Sequence, residues 1–177
     1  MLREYSVSLM LAATAACSVA PVRQVPSPFQ YTQIPGPLLA AHNRERAAFG
    51  SAPLTWDPVL ASSALAHAAT LAQLGRLQHS PKIKRPGQGE NLWIGTRGAF
   101  RLQSMVGSWA SERPTFRPGR FPATSRTGHW ANVGHYSQMV WPTTSRLGCA
   151  LGSSARWEVL VCGYSPPGNV DGVRLRR

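Results

Sequence analysis

Acidic residues are scarce in this 177-residue chain, because only seven Asp and Glu stand against nineteen Lys and Arg, for a formal net charge of +12. A cationic surplus attracts anionic polymers or lipid headgroups over long distances. The basic residues are scattered, however, and only residues 174–177 (RLRR) form a run. A solvated, arginine-rich surface is the simpler explanation. There is no zinc-finger spacing, RNA-binding signature or basic–aromatic stripe, so no nucleic-acid partner is predicted.

Long hydrophobic runs are also absent. No apolar run reaches the roughly 18 residues that span a bilayer, so no transmembrane segment is predicted. A hydrophobic content of 43% with 15% charged residues is typical of a globular protein and argues against disorder. A chain of this length supports one domain with a real core. We therefore expect a single domain, without internal repeats, that is a monomer.

The first residues have the pattern of a targeting segment. Arg3 precedes an apolar stretch at residues 7–16, and small side chains follow as far as Ala20, although Glu4 weakens the initial positive charge. The prolines that come next, without apolar periodicity, indicate an extended linker. The predicted organisation is a signal peptide or lipoprotein signal at 1–20, a linker at 21–36, a globular domain at 37–169 and a basic tail at 170–177.

Cysteine is scarce as well, and the three residues are an odd number. Cys149 and Cys162 lie on either side of a predicted hairpin, which leaves Cys17 over. Cys17 either leaves with the signal peptide or is the lipid-modified residue of a bacterial lipoprotein. The preceding residues 14–16 (TAA) lack the usual Leu, which makes lipidation the weaker alternative. A lipidated Cys17 would anchor the domain to a membrane without changing its fold.

Apolar periodicity and stop signals predict three helices followed by three strands. The helices run from Pro37 to Gly50, from the Asp57-Pro58 cap to Gly75, and from Leu102 to near Pro114. After a Gly-, Pro- and Arg-rich loop at 114–128, the predicted strands are 136–141, 147–151 and 158–164. Helices followed by strands indicate an α+β fold with helices packed on an antiparallel sheet.

One block of sequence carries a resemblance to a known family. Residues 134–141 (GHYSQMVW), with 148–150 (GCA) and 161–169 (VCGYSPPGN) after them, closely resemble the GHYTQ-V-W signature of the CAP superfamily. This superfamily contains cysteine-rich secretory proteins, wasp-venom antigen five and plant pathogenesis-related class-one proteins. Ser137 replaces the usual Thr, and Gly163 replaces a common Asn. The resemblance spans residues 38–169 and implies a three-layer α-β-α sandwich with a central antiparallel sheet.

The resemblance also implies a central cleft with two histidines and two glutamates. Residues 78–80 (QHS) supply His79, residues 89–92 (GENL) supply Glu90, the W-x-x-E-x-x-x-F pattern supplies Glu112, and the GHY signature supplies His135. Family members bind a divalent metal at this histidine pair, so His79 and His135 are the predicted ligands of Zn²⁺ or a similar ion. The alternative is a hydrogen-bonded polar cluster without metal.

Periodicity gives a separate argument about Glu112. At 100° per residue it falls about 20° from Met105, on the apolar face of the third helix. A carboxylate there should be buried or line a cleft, and it needs a partner. The alternative is that the helix ends early and leaves Glu112 solvated.

The hairpin geometry predicts one disulfide. If the chain reverses around Ala155 and Arg156, Cys149 and Cys162 lie opposite each other on neighbouring strands. Closing a loop of this length would stabilise the fold by ~3 kcal/mol in the chain-entropy model. A single bridge, together with the targeting segment, suggests a bacterial member of the superfamily.

Several other residues are predicted to be structural. His42 in the first helix and His67 in the second are interpreted as core or hydrogen-bonding residues, and three tryptophans are assigned to the core: Trp56, Trp93 and Trp141. His129 ends the loop beside the cleft and could touch a ligand there.

Two classes of function remain. The favoured one is a secreted or periplasmic, non-enzymatic binding protein for a metal, a lipid, a sterol-like molecule or a cell-wall ligand. The alternative is a hydrolase in which Glu90 or Glu112 acts as general base. No nucleophile–base pair emerges, because Ser80 and Ser137 each adjoin a histidine and neighbours on a strand point to opposite faces. The CAP superfamily also has no generally established enzymatic activity.

Overall fold

The computed structural model describes residues 35–176. The helices are α1 (Pro35–Phe49), α2 (Pro58–Leu74), α3 (Leu102–Ala110) and α4 (Gly134–Met139), and the strands are β1 (Thr55–Trp56), β2 (Gly89–Thr96), β3 (Gly119–Arg120), β4 (Arg146–Ser153), β5 (Trp157–Ser165) and β6 (Arg174–Leu175). Single 3₁₀ turns lie at Lys82–Lys84 and Trp130–Val133. The predicted targeting segment, Cys17 and nearly all of the linker lie outside the described residues.

The central sheet has the strand order β1-β4-β5-β2 within this part of the chain. β4 and β5 form an antiparallel hairpin, and β2 pairs with β5 in the antiparallel sense. β1 runs parallel to β4, with Thr55 opposite Arg146. The sheet is therefore mixed, and the prediction of an antiparallel sheet was wrong for this edge. β1 has only two residues, which is too short for an alternating pattern to mark it in the sequence.

Helix α2 covers one face of the sheet at short range. Its buried side chains are small or aliphatic, and they pack on Val159 and Val161 of β5. Two glycines of β4 make this approach possible: a Cβ at Gly148 would lie 2.3 Å from the Ala61 amide nitrogen, and one at Gly152 would lie 2.3 Å from the Ala68 carbonyl carbon. Asp57 caps α2 as predicted, accepting hydrogen bonds from the first-turn amides, and Gly75 ends it with φ 65°.

The other face carries α1, α3 and α4 and a core rich in aromatic rings. Trp109, Tyr136, Trp141 and Tyr164 are all at most 2% exposed there. The sheet thus separates two helical layers, which is the predicted α-β-α sandwich. None of the helices at residues 35–176 is long and apolar enough to cross a membrane.

The prediction of a strand at residues 136–141 was wrong, because Gly134–Met139 is helix α4. Every residue from 136 to 141 is buried. A segment that is buried on all sides has no polar face from which a period of 3.6 could be read, so a short apolar run fits a strand and a helix equally well.

The ends of three segments differ from the predicted ones. Helix α1 includes Pro35 and Gly36, which were assigned to the linker, and α3 ends at Ala110, before Pro114. The predicted basic tail contains a strand: β6 pairs with β3, and Leu175 is 1% exposed. Leu175 is flanked by arginines, so the sequence around it looks like a basic tail and does not show that Leu175 is buried.

Candidate functional site

An open cleft of about 900 Å³ lies where β2, α4 and the loops before each of them meet. His79, Glu90 and His135 line it together. Phe121 and Trp130 form an apolar wall, with their ring centroids 5.4 Å apart. The fold thus gathers into one cavity side chains that lie far apart in the sequence.

The first histidine–carboxylate pair joins a loop to strand β2. His79 Nδ1 lies 2.7 Å from Glu90 Oε1. The Ser80 amide donates to the same oxygen at 3.0 Å, and the Ser80 hydroxyl donates to Glu90 Oε2 at 2.9 Å. Only 5% of the Glu90 side chain is exposed, against 57% for His79. Glu90 therefore holds both the imidazole and the loop that carries it.

Glu90 is ionised in this setting. Burial alone would raise the pKa of its carboxyl group, but the hydrogen bonds from His79 and Ser80 and the nearby Arg85 guanidinium outweigh burial and hold the pKa below its usual range. The Arg85 Nε atom lies 3.8 Å from Glu90 Oε1. An ionised carboxylate accepts hydrogen bonds only, so the proton between the two side chains belongs to His79 Nδ1.

The second pair joins the turn after α3 to the start of α4. His135 Nδ1 lies 2.6 Å from Glu112 Oε1, and the Tyr136 amide donates to Glu112 Oε2 at 2.9 Å. The His135 ring stacks on Trp109, with 6.0 Å between centroids and 14° between planes. Glu112 follows the end of α3, and its side chain is 17% exposed. The sequence left two alternatives: a Glu112 with a partner on the apolar face of α3, or a helix that ends early. The structure combines them, because α3 ends at Ala110 and Glu112 still has partners.

Both pairs leave the same atom available. In each, Nδ1 faces a carboxylate, so the neutral form of the ring carries its proton on Nδ1 and its lone pair on Nε2. No hydrogen bond is made to Nε2 of His79 or His135 by residues 35–176. A carboxylate that orients an imidazole in this way is the usual second partner of metal-binding histidines. Across the described residues there is no group of three or more His, Cys, Asp or Glu side chains arranged for a metal.

A buried hydrogen-bond network holds the backbone of His135 in place. Asn91 donates from Nδ2 to the His135 carbonyl at 3.1 Å and to the Tyr164 hydroxyl at 3.0 Å. Tyr164 in turn lies 2.8 Å from His42 Nε2, and His42 Nδ1 lies 2.8 Å from the Leu38 carbonyl. His42 is therefore a structural residue, as predicted. The roles of Asn91 and Tyr164 were missed, although Asn91 follows Glu90 directly in the sequence.

The remaining candidates do not belong to the two histidine–carboxylate pairs, although His67 Nε2 lies 3.8 Å from Glu90 Oε2. His67 Nε2 lies 2.8 Å from the Gln78 carbonyl, so it supports the loop before His79. His129 is exposed and is not among the residues that line the cleft. The Ser137 hydroxyl is buried and donates to Asn169 at 2.6 Å. Of the three tryptophans assigned to the core, Trp141 is buried, and Trp56 and Trp93 pack against the core partly buried.

The predicted disulfide is confirmed. Cys149 and Cys162 are bonded, with 2.02 Å between their sulfur atoms, and they face each other in the β4–β5 register. The hairpin reverses at 154–156, as the spacing predicts. The bridge lies in the aromatic layer of the core, and Cys162 stands opposite Asn91 of β2, which lines the cleft.

Three features together describe the class of this protein. It is an α-β-α sandwich domain with an internal disulfide, and two histidines held by glutamates lie at an open cleft. The sequence profile of the cysteine-rich secretory protein family (CAP) matches residues 39–164. The chain belongs to this family.

Relatives by sequence include plant proteins. The pathogenesis-related protein PR-1 type of Sambucus nigra is 36% identical over 136 residues, which cover 76% of this chain and 77% of the relative. Pathogenesis-related leaf protein 4 of Solanum lycopersicum is 38% identical over 141 residues, 79% of this chain and 82% of the relative. A bacterial source is not confirmed by these relatives.

Relatives by structure share the fold at lower identity. The crystal structure of NaASP2 with Zn²⁺ superposes with a TM-score of 0.67 at 22% identity, covering 80% of this chain and 83% of the other. The venom allergen-like protein 4 of Schistosoma mansoni gives a TM-score of 0.59 at 19% identity, covering 79% and 91%. The predicted CAP fold is confirmed.

Proposed function

We propose that this chain is an exported binding protein whose cleft takes a ligand at His79 and His135, with a divalent metal such as Zn²⁺ as the coordinating ion. The observation that carries the proposal is the shared orientation of the two imidazoles. Each gives Nδ1 to a glutamate and leaves Nε2 for a ligand. The fold holds both rings in place before any ligand arrives, which reduces the ordering cost of binding.

The donor set suits an open site. Two imidazole nitrogens are fewer than the four ligands of a closed structural zinc site, so positions would remain for water or for an oxygen of the ligand. A zinc ion bound there would act as a Lewis acid that attracts such an oxygen. Glu90 and Glu112 would act from behind the rings, where they fix the tautomer and increase the basicity of Nε2. The crystal structure of NaASP2 with Zn²⁺, which shares this fold, adds support.

Calorimetric titration with zinc tests the metal. We expect His79→Ala and His135→Ala each to remove most of the affinity, because one imidazole holds the ion poorly. His129→Ala is the matched control, since His129 is an exposed histidine that does not line the cleft, and it should bind zinc as the wild type does. Affinity should fall in acid, because protons compete for Nε2. Equal zinc binding by all four proteins would refute the site.

The walls of the cleft favour an amphipathic ligand. Phe121 and Trp130 offer an apolar surface on one side, while Lys82 and Arg85 bring positive charge to the same cavity. A lipid, a sterol-like molecule or a cell-wall fragment with an acidic or polar end matches both features. Mass spectrometry of protein purified under native conditions should detect such a molecule. A Trp130→Ala variant should lose it, whereas Trp157→Ala, at a position outside the cleft, should retain it.

A hydrolytic function has less support. The Ser80 hydroxyl is already bonded to Glu90, and the Ser137 hydroxyl is buried against Asn169, so neither serine is placed as a nucleophile. A water activated by metal would need a free carboxylate as base, but Glu90 and Glu112 both bond an imidazole and a backbone amide. If turnover of any ester or peptide substrate disappears in Glu112→Gln while ligand affinity is retained, the hydrolase becomes the better account.

Export is part of the proposal because of the N-terminal pattern, the disulfide, and relatives such as the secreted protein RBT4 of Candida albicans. That relative is 35% identical over 145 residues, which cover 80% of this chain and 37% of its own length. The intact mass of the mature protein tests export. A start at Pro21 indicates ordinary secretion, a diacylglyceryl group on Cys17 indicates an anchor, and a full-length cytoplasmic chain contradicts both.

A further inference from the structure

The loop between α2 and β2 has an unusual tip. Its 3₁₀ turn, Lys82–Lys84, contains both lysines of the chain, with Ile83 between them. The Ile83 side chain is 87% exposed, and no other large apolar side chain in residues 35–176 is as exposed. A water-exposed isoleucine is ordinary on its own. Its position between two lysines, at the tip of a loop, is what needs an explanation.

The surroundings of the tip add to both properties. Arg76 brings one more exposed positive charge, whereas the Arg85 guanidinium already lies 3.8 Å from Glu90 Oε1, and no Asp or Glu occurs between Asp57 and Glu90 in the sequence. Leu74 and Leu77, which precede the tip, are 52% and 41% exposed. The segment from residue 74 to 85 therefore combines cationic and apolar side chains without an acidic one.

The tip is also held in one conformation. The Lys84 amide donates to the Pro81 carbonyl at 2.8 Å, and the Arg85 amide donates to the Lys82 carbonyl at 3.2 Å. The Arg85 guanidinium donates to the Ser80 carbonyl at 2.8 Å and to the Gln88 carbonyl at 2.9 Å. A preformed tip loses little conformational entropy when it meets a surface.

We propose that residues 82–85 dock on an anionic phospholipid bilayer. Ile83 enters the boundary between headgroups and acyl chains, and the long lysine side chains keep their ammonium groups at the level of the phosphates. The positive charges add long-range attraction to the anionic leaflet. An acidic polysaccharide would account for the charges but not for the projecting isoleucine. Since Lys82 also lines the cleft, docking would place the cleft mouth close to the membrane.

This surface goes beyond the cleft proposal and does not depend on the zinc site, although Lys82 and Arg85 also line the cleft. The tip needs neither His79 nor His135, and the variants that test the zinc site leave residues 82–85 unchanged. Vesicle binding by His135→Ala equal to that of the wild type is therefore expected, and failure of either proposal leaves the other standing.

Sedimentation of the full chain with vesicles tests the proposal, using phosphatidylcholine with about one quarter phosphatidylserine and comparing it with phosphatidylcholine alone. We expect binding to the anionic vesicles only. Ile83→Ser should weaken it by about tenfold. The double variant K82Q/K84Q should weaken it by about 25-fold, at about fivefold for each charge near the surface. All three side chains are exposed, so the variants should unfold at the temperature of the wild type.

Matched controls separate this surface from net charge and from general stickiness. R44Q/R101Q removes two exposed charges from α1 and from the residue before α3, and Val59→Ser removes an apolar side chain that is 71% exposed. Both controls should bind vesicles nearly as the wild type does. The proposal is overturned if the wild type does not bind anionic vesicles, or if R44Q/R101Q weakens binding as much as K82Q/K84Q. It is also overturned if Ile83→Ser has no effect and heparin, an acidic polysaccharide, competes fully with the vesicles, because the tip would then bind anionic polymers through charge alone.

Discussion

His42 of α1 lies in the core against Tyr164 of β5, whereas His79 and His135 line the cleft. The hydrogen bonds of the imidazole ring differ between these two environments. All three rings present Nδ1 to an oxygen of the protein. In the core, the Tyr164 hydroxyl also occupies Nε2 of His42. In the cleft, Nε2 of His79 and of His135 faces no protein partner among the described residues. A histidine with both nitrogens bonded can only support the fold, while one with a free Nε2 can bind a ligand.

The consequences of protonation differ accordingly. Desolvation lowers the pKa of His42 to about 4, against the raising effect of the Leu38 carbonyl. Burial also raises the pKa of Tyr164, which keeps its hydroxyl protonated as the donor to His42. The core network is therefore neutral at physiological pH apart from Arg46. The comparison predicts that core changes alter stability but not zinc binding, and that cleft changes do the reverse.

The largest effect is expected for Arg46→Met in the core. The Arg46 guanidinium is fully buried and donates to four backbone carbonyls: three of them, at residues 139–144, fasten α1 to the segment after α4, and the fourth is that of Ala52. Leaving several buried carbonyls without a donor should lower the free energy of unfolding by about 4 kcal/mol or more. Urea unfolding measures this loss.

Arg44→Met serves as the control, because Arg44 is an exposed neighbour on the same helix. It should change stability by less than about 0.5 kcal/mol. A loss below about 1 kcal/mol in Arg46→Met would show that the four carbonyls find other partners and that the core network is not essential.

The next effect is a dependence of stability on pH through His42. The unfolded chain takes up a proton near pH 6.5 and the folded protein only near pH 4, so the stabilising contribution is complete above pH 6.5 and declines as the pH falls through this window. The pKa difference corresponds to about 3 kcal/mol. Urea unfolding between these pH values should show the decline in the wild type, and much less of it in His42→Gln. A parallel decline in His42→Gln, with His129→Gln as reference, would contradict this assignment.

A smaller effect is expected for Glu90→Gln, because Glu90 is buried like a core residue and also lines the cleft. Its carboxylate is 5% exposed and holds His79 and Ser80, so the change should cost about 2 kcal/mol of stability near neutral pH. Because the pKa of Glu90 is lowered, its contribution is present above the unfolded pKa of about 4.5 and is lost as the pH falls below it.

The same variant should weaken zinc binding by roughly tenfold, since the imidazole of His79 loses its orienting carboxylate. Calorimetry near neutral pH, with the matched variant Glu158→Gln at an exposed hydrogen bond to Gly98, measures the difference. Unchanged zinc affinity in Glu90→Gln would mean that the carboxylate does not act on the ring.

The smallest effect on stability is expected for His79→Ala. Its side chain is 57% exposed, and Glu90 keeps both bonds from Ser80 when the ring is removed. The free energy of unfolding should fall by less than about 1 kcal/mol, although zinc binding is lost. If His79→Ala lowered the melting temperature as much as a core variant does, His79 would be a structural residue like His42. The distinction between the core and cleft histidines would then be wrong.

Local pattern and pairing arithmetic predicted much of this molecule. The Asp57-Pro58 start and the Gly75 end of α2 depend on neighbouring residues only, because a cap is a contact within one helical turn. The disulfide followed from the hairpin, since the register of two connected strands decides which residues face each other. The resemblance to the CAP superfamily named His79, Glu90, Glu112 and His135, each from its own motif, although none of these motifs could say which carboxylate holds which ring.

Other features required contacts between distant segments. The sequence indicated a strand at 136–141 because all-round burial hides the period of a helix. Nothing in the sequence pattern distinguishes Arg46 from the scattered surface arginines, and only the packing of α1 against the loop after α4 surrounds it with carbonyl oxygens. Glu112 was judged by its angle on α3, but the helix ends at Ala110, and the turn after it carries the carboxylate to His135.

By itself, the sequence determined the helix caps and the hairpin with its bridge, because each depends on residue type and on short-range geometry. The identities of His79, Glu90, Glu112 and His135 came from its resemblance to the CAP superfamily. Tertiary structure alone decided the pairing of His79 with Glu90 and of His135 with Glu112, and it decided that His42 loses its free nitrogen while the cleft histidines keep theirs. The reason is physical: whether an imidazole nitrogen is available depends on which oxygen or hydroxyl group lies within about 3 Å of it. In a folded chain that neighbour comes from a segment far away in the sequence.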